Sequence, residues 1–135
     1  MKSRPEIRRD GGLSARLGAA AEEAAARLLL SQGYTLLERN WRRPGLELDL
    51  AARSPDGRLV LVEVRGRRLN ATVDAGLSLI RRKRLRFLRA ARLYAALRGA
   101  EEARLDVILL SWTDGACQLR HLRDLGGELL GGGAG

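Results

Sequence analysis

The sequence predicts an α/β domain, a mixed β-sheet flanked by helices with elements in the order α-β-β-β-α-β-β. Three observations carry this. Two stretches place apolar residues at helical spacing, and each is closed by a glycine, Gly33 or Gly99. Between them lie three runs of β-rich or alternating character, separated by turn chemistry. Two more such runs follow the second helix on either side of Thr113-Asp114-Gly115.

Residues 1–12 show no apolar periodicity and end in Gly11-Gly12, which reads as a flexible basic tail. The first helix is expected over about 13–32, with Leu17, Ala21, Ala24 and Leu28 as its buried stripe. Tyr34 to Trp41 is a plausible first strand, and Arg42-Arg43-Pro44-Gly45 breaks it. Leu46-Glu47-Leu48-Asp49-Leu50 alternates apolar and acidic, the period of a strand. In Ser54-Pro55-Asp56-Gly57, proline presets φ and glycine accepts a positive φ, so a turn is expected. Leu59 to Arg65 is a β-rich run that should pair with the preceding strand as a hairpin.

Residues 66–76 read as a loop. A second helix is expected over about 79–98, its apolar face made by Ile80, Phe87, Leu88, Ala91 and Ala95. Strands at about 104–112 and 116–123 complete the set. A single domain over 13–125 follows, with a flexible glycine-rich tail at 126–135.

The balance of charge is +9, and all but two of the 25 basic residues are arginines. Such an excess suits a polyanionic partner, nucleic acid first and an acidic membrane surface second. The abundance of arginine, alanine, leucine and glycine is also what a GC-rich genome produces. No apolar run approaches the ~20 residues of a membrane span. The basic N-terminus lacks the apolar stretch of a signal peptide. A lone cysteine, Cys117, suits a reducing cytoplasm, and with His121 the only histidine, a zinc site of the usual His/Cys kind is not expected.

Glu47 and Asp49 share one face of their strand, and Glu63 and Arg65 share one face of theirs. Hairpin pairing can bring Asp49 and Glu63 together, and carboxylates converging there repel unless a cation lies between them. Oxygen ligands of this kind suit Mg²⁺ or Mn²⁺. The same alternation also describes an ordinary amphipathic strand with its acids in solvent. Glu63 argues against that, because it follows four apolar residues in what should be a central strand, where an unpaired carboxylate is costly.

On the first helix, Glu23 and Arg27 are spaced for a solvated ion pair. Glu22 instead falls beside Gly18, Ala25, Ala26 and Leu29, with no basic partner at helical spacing. A metal, a catalytic cation or a backbone amide would satisfy it.

On the second helix, Arg82, Arg86 and Arg89 lie on one side, bordered by Arg81 and Arg92 with no acid among them. Like charges at these spacings cost an isolated helix ~0.2–0.5 kcal/mol per pair. A phosphate backbone reverses that sign, so this flank is a candidate nucleic-acid surface beside the simpler reading of a solvated face. Lys83 falls at the edge of the apolar face and is expected to point toward the sheet. The few aromatic residues fit core or edge positions and offer no platform for stacking single-stranded bases.

In order along residues 17–123, the chain carries Leu17-Gly18 with Glu22, Gly33-Tyr34, Arg39-Asn40-Trp41-Arg42, Glu47-Leu48-Asp49-Leu50, Val62-Glu63-Val64-Arg65, Lys83 with Ala91 and Tyr94, and Arg104-Leu105-Asp106-Val107-Ile108. This succession resembles the YraN-like family of bacterial proteins. Those are similar to archaeal Holliday-junction resolvases and have the restriction-endonuclease-like fold. The resemblance implies a metal-dependent endonuclease acting on DNA, branched or distorted DNA included. Asp49 and Glu63 then look like the metal-binding acids, Glu22 like the helix-borne third acid, and Glu47 like an accessory group. Arg82, Lys83, Arg86 and Arg89 would track the DNA, and a homodimer would suit a cut in two strands.

Two departures stand out. Arg65 replaces the lysine usual in the family, and Leu46 stands where glycine is common. A guanidinium stays protonated and is a poor base. The rival expectations are therefore a non-catalytic DNA-binding or adaptor protein that keeps the nuclease fold, and a basic protein that works through protein contacts.

Overall fold

The computed structural model describes residues 5–67, 84–113 and 116–125, with side chains over 18–66, 85–112 and 116–125. Helix α1 (Pro5–Ser31) leads into strands β1 (Thr35–Arg43), β2 (Leu46–Arg53) and β3 (Leu59–Arg67). Helix α2 (Arg84–Leu97) and strands β4 (Arg104–Thr113) and β5 (Ala116–Leu122) follow. The order is the expected one. The glycine-rich stretch at 126–135, Arg82, Lys83 and most of the loop expected at 66–76 lie outside the described residues.

The sheet runs β1-β2-β3-β4-β5. β2 pairs antiparallel with both β1 and β3, β3 pairs parallel with β4, and β4 pairs antiparallel with β5. The parallel step from β3 to β4 needs a crossover, and α2 lies in it. α1 covers one face, where Ala21, Ala25, Ala26 and Leu29 pack with Leu50, Val60, Val62, Ile108 and Leu110. On the other side, Phe87, Ala90, Ala91 and Tyr94 of α2 pack with Ala51, Leu61, Leu105, Val107 and Leu109. The result is a three-layer α/β/α arrangement with a core on each side of the sheet. Among the described residues no helix is long and apolar enough to cross a membrane.

Two expectations about α1 are corrected. The helix begins at Pro5, so Gly11 and Gly12 lie inside it. Interior glycines weaken a helix by ~1 kcal/mol each without ending it once neighbouring turns propagate. The buried stripe is also turned by about one residue. Ala21, Ala25 and Leu29 are buried, whereas Ala24 and Leu28 are only partly so. Alanines on several sides of this helix leave its phase open in the sequence. The observed phase carries Glu22 toward the sheet, and the expected Glu23–Arg27 pair forms at the surface at 3.1 Å.

α1 ends as its sequence dictates. Gly33 sits at φ 89°, its amide donates to the Leu30 carbonyl, and Tyr34 donates to Leu29, so two carbonyls of the last turn are satisfied. The Ser54-Pro55-Asp56-Gly57 turn forms too, with Gly57 donating to the Ser54 carbonyl.

β3 runs further than expected, with Gly66 and Arg67 paired to Leu110 and Ser111. Gly66 serves close approach here. A Cβ at this position would lie 2.7 Å from Trp112 Cζ3 and 3.2 Å from the Ala21 side chain. Gly66→Ala is therefore expected to displace the Trp112 ring and destabilise the protein by about 1–3 kcal/mol. Thermal melting with near-UV dichroism checks this, and an unchanged melting temperature and tryptophan signal would contradict it.

Candidate metal centre and nucleic-acid surface

The β2–β3 ladder runs from Arg53↔Leu59 to Leu50↔Val62 and then opens. Continuing that register by one residue sets Asp49 opposite Glu63. Instead of a β2 carbonyl, the side chain of Asp49 takes the β3 amide, with Val64 N–H donating to Oδ2 at 2.8 Å. The hairpin thus parts at its acids. Asp49 is 6% exposed and Glu63 8%, so the pair is held away from bulk water.

A cavity of about 210 Å³ opens here, lined by Glu47, Asp49, Glu63, Arg65, Arg86 and Phe87. Arg65 Nη2 lies 2.5 Å from Glu63 Oε2, and Arg65 Nη1 donates to the Val64 carbonyl at 3.1 Å. Its Nε is buried and makes no hydrogen bond among the described residues. Burial pushes the Glu63 carboxyl up to about 8, the neighbouring Asp49 adds to the rise, and Arg65 opposes it. Burial also raises Asp49, against the Val64 amide and the Arg65 charge. Two carboxylates so close in a low dielectric hold a proton between them that water would otherwise take.

That shift fixes a sign. Glu63 keeps its proton in the folded chain at pH values where the unfolded chain, near 4.5, has lost it. Its contribution to stability is present below about 4.5 and is lost as pH rises toward about 8. Glu63→Gln removes the titration, so its melting temperature in EDTA should fall less than the wild type's between those pH values. Parallel curves would contradict the coupling.

Glu22 reaches this site from α1. Partial burial and the charge of Asp49 raise its carboxyl above the ordinary range, while a hydrogen bond from Asn40 opposes the rise. Asn40 itself sits at φ 54°. Arg39 faces Leu50 and Trp41 faces Leu48, so Asn40 comes level with Asp49 in the sheet. From there it hydrogen-bonds the α1 acid as a neutral partner. Its sequence signals are its place in the Arg39-Asn40-Trp41-Arg42 stretch and asparagine's tolerance of a positive φ.

The sequence-derived candidates therefore divide. Asp49, Glu63 and Arg65 are brought into one cavity, and Glu47 stands at its rim, 3.4 Å from Arg42. Glu22 lies close enough to feel the charge of Asp49. Arg86 of α2 lines the same cavity, and Arg89 is exposed on that helix. Among the described residues, no three His, Cys, Asp or Glu side chains already surround a common point suited to a metal ion. The Arg65 guanidinium provides the positive charge at Glu63 instead.

A second buried cluster lies on the α1 side, unforeseen in the sequence. Asp106 on β4 is fully buried. It accepts hydrogen bonds from Arg104 Nε at 3.0 Å, Arg104 Nη2 at 2.9 Å and the Asp124 amide at 2.9 Å, and it meets His121 Nε2 at 2.7 Å. Arg104 also reaches the Tyr34 hydroxyl, and His121 Nδ1 lies 3.3 Å from Gln32 Oε1. These groups tie β4 and β5 to the end of α1. Every polar atom named is partnered, which marks the cluster as a brace.

Comparison with known proteins gives a consistent picture. A family model described as the uncharacterised protein family UPF0102 matches residues 21–110. A UPF0102 protein of Albidiferax ferrireducens is 43% identical over 110 residues, covering 78% of this chain and 86% of its own. One from Nitratidesulfovibrio vulgaris is 36% identical over 120 residues, covering 86% and 89%. One from Cupriavidus metallidurans is 40% identical over 130 residues, covering 94% and 96%. The matched span contains both the parted hairpin and the helix that bears Arg86.

Proposed function

The chain belongs to the uncharacterised protein family UPF0102, and on the geometry of its carboxylate cavity we propose that it is a metal-dependent endonuclease acting on DNA. One observation carries the reading: a buried Asp49–Glu63 pair and the cationic groups of Arg65 and Arg86 line one cavity. Carboxylate oxygens can take a divalent cation, and guanidinium groups can take the phosphate beside it.

The donor set fits Mg²⁺ or Mn²⁺. Both ions prefer oxygen ligands and are held by one or two carboxylates with water completing the shell. The cavity of about 210 Å³ has room for such water, since a water occupies ~30 Å³ in the liquid. Asp49 and Glu63 would hold the ion and Glu22 would add charge from α1. Once bound, the ion would supply an activated water and neutralise charge on the phosphoryl group.

The chain's own residues do the rest. Asp49 stays fixed by the Val64 amide, so its carboxyl keeps its direction beside Glu63. Asn40 steadies Glu22. Arg65 presents N–H groups to a non-bridging phosphate oxygen, a role its fork-shaped guanidinium suits, whereas proton abstraction is one it does not. Arg86 and Arg89 extend the positive surface along α2 for the flanking backbone.

A second reading is favoured by one specific contact. Arg65 sits on Glu63 at 2.5 Å, and a protein that keeps this pair closed would bind DNA without cutting it. Incubation with branched and linear DNA in Mn²⁺ separates the two readings. The proposal predicts cutting that Asp49→Ala removes. Binding with no Asp49-dependent cutting on any of these substrates would leave the adaptor reading. Neutralising ~4–6 phosphates predicts a log–log salt slope of about −4 to −5. A flat response would remove DNA from both readings. Sedimentation with and without branched DNA tests the homodimer that a two-strand cut calls for.

A further inference from the structure

The acid pair, the arginine beside it and the second arginine at the cavity mouth have a joint consequence for how ligands enter. We propose that Arg65 is the site's own counter-ion, released when a nucleic-acid phosphate binds, so that divalent cation and phosphodiester bind with positive cooperativity. The inference rests on the proposed metal site and concerns the order and strength of binding there.

The contact at 2.5 Å places a guanidinium on an oxygen of Glu63 that the metal site needs. Glu63 is 11% exposed in its side chain and Arg65 24%, so this pair is screened little by water. A divalent cation entering alone must compete with a fixed positive charge already seated there. It must also approach with Arg65 still beside the site, which disfavours a second cation by simple repulsion.

A phosphodiester changes the balance. Among the described residues Arg65 Nε is buried without a hydrogen-bond partner, so the guanidinium carries an unused donor that a turn of the side chain would bring to the cavity. A phosphate oxygen can accept from Nε and an Nη together, in the two-pronged geometry that arginine offers and lysine does not. Arg86 lines the same cavity and draws the anion to that side. As the phosphate takes Arg65, the cation would have only the proton shared by Asp49 and Glu63 left to displace. By linkage, the cation then strengthens phosphate binding by the same factor.

This also assigns a physical role to arginine at this position. A lysine ammonium could neutralise Glu63 but would meet a phosphate through a single point of charge. Arg65 couples the two ligands, and the chain would bind metal weakly in the absence of its nucleic acid.

The test is a titration of the full chain with Mn²⁺, followed by the electron paramagnetic resonance signal of free Mn²⁺, with and without a phosphorothioate DNA duplex. Asp49→Ala defines the site-specific part. The wild type is expected to bind Mn²⁺ at least ~10-fold more tightly with DNA present, within the 5–150-fold common for such coupling. Arg65→Met is expected to bind Mn²⁺ more tightly than the wild type without DNA and to gain less than ~3-fold from it. Arg65→Gln should behave as Arg65→Met does, with circular dichroism confirming that each variant is folded.

Equal DNA effects in wild type and both variants would overturn the coupling while leaving Asp49-dependent metal binding, and hence the nuclease reading, intact. No Asp49-dependent Mn²⁺ binding under any condition would overturn both.

Discussion

Replacing Asp49 with alanine is expected to lower Mn²⁺-dependent DNA cleavage by more than the ~100-fold that losing an outer partner of a metal commonly costs. The side chain has two roles at once. One oxygen accepts the Val64 amide where the hairpin parts, and the carboxyl also bonds Glu63 at the wall of the cavity. Alanine removes a proposed metal ligand and strands a buried backbone donor, so cutting should vanish while the proposed DNA binding through Arg86 and Arg89 persists. Asp49→Asn separates the two effects, because its carbonyl oxygen can still accept from Val64. It should fold like the wild type and still fail to cut. Gel-based cleavage beside a binding assay reads both. An Asp49→Ala protein that cuts as fast as the wild type would remove this cavity from the reaction.

The largest effect on stability is expected at Asp106, which does not line that cavity. Asp106→Ala leaves Arg104 charged and buried without its bidentate partner, and leaves His121 and the Asp124 amide without theirs. Truncating one member of a buried ion pair costs about 3–5 kcal/mol, a large share of the 5–15 kcal/mol that holds a typical domain. Urea unfolding should show the midpoint falling steeply with little change in slope. Loss below ~1 kcal/mol would mean that the cluster is not a brace.

The same group sets a response to acid. Burial would raise the Asp106 carboxyl, but the hydrogen bonds from His121, Arg104 and the Asp124 amide outweigh it and hold it below the ordinary range. A carboxyl depressed in the folded state stabilises above its unfolded value of ~3.9, and that contribution is lost as pH falls through the folded value. Asp106 and Glu63 therefore pull in opposite directions. Acid weakens the brace, whereas alkali weakens the metal-free cavity.

How much of this was legible in the sequence depended on whether a feature is local. The hairpin was, because Ser54-Pro55-Asp56-Gly57 fixes the turn, and counting out from it along both strands sets Asp49 opposite Glu63. The helix ends at Gly33 and Gly99 were legible for the same reason. The phase of α1 was not, because alanines surround the helix and any of several faces can be buried. The partner of Glu22 also escaped. Asn40 stands in one of the stretches that carry the family resemblance, but it comes level with Asp49 only through strand register.

The Asp106 brace joins positions 32, 34, 104, 106, 121 and 124, which come together only when the chain has folded. Arg65 lies between these cases. Its place on the site-facing side of β3 follows from the period of two, but its hold on Glu63 depends on a side-chain rotamer. The sequence raised the question of what an arginine does there, and the geometry answers that it sits on the acid as a counter-ion.

Crystals grown with Mn²⁺ and a short DNA, with anomalous scattering recorded at the manganese edge, bear most directly on the central claim. An anomalous peak bonded to oxygens of both Asp49 and Glu63, with Arg65 turned onto a phosphate, is the result expected. A Glu63 still paired with Arg65 and no manganese at either carboxylate would contradict it.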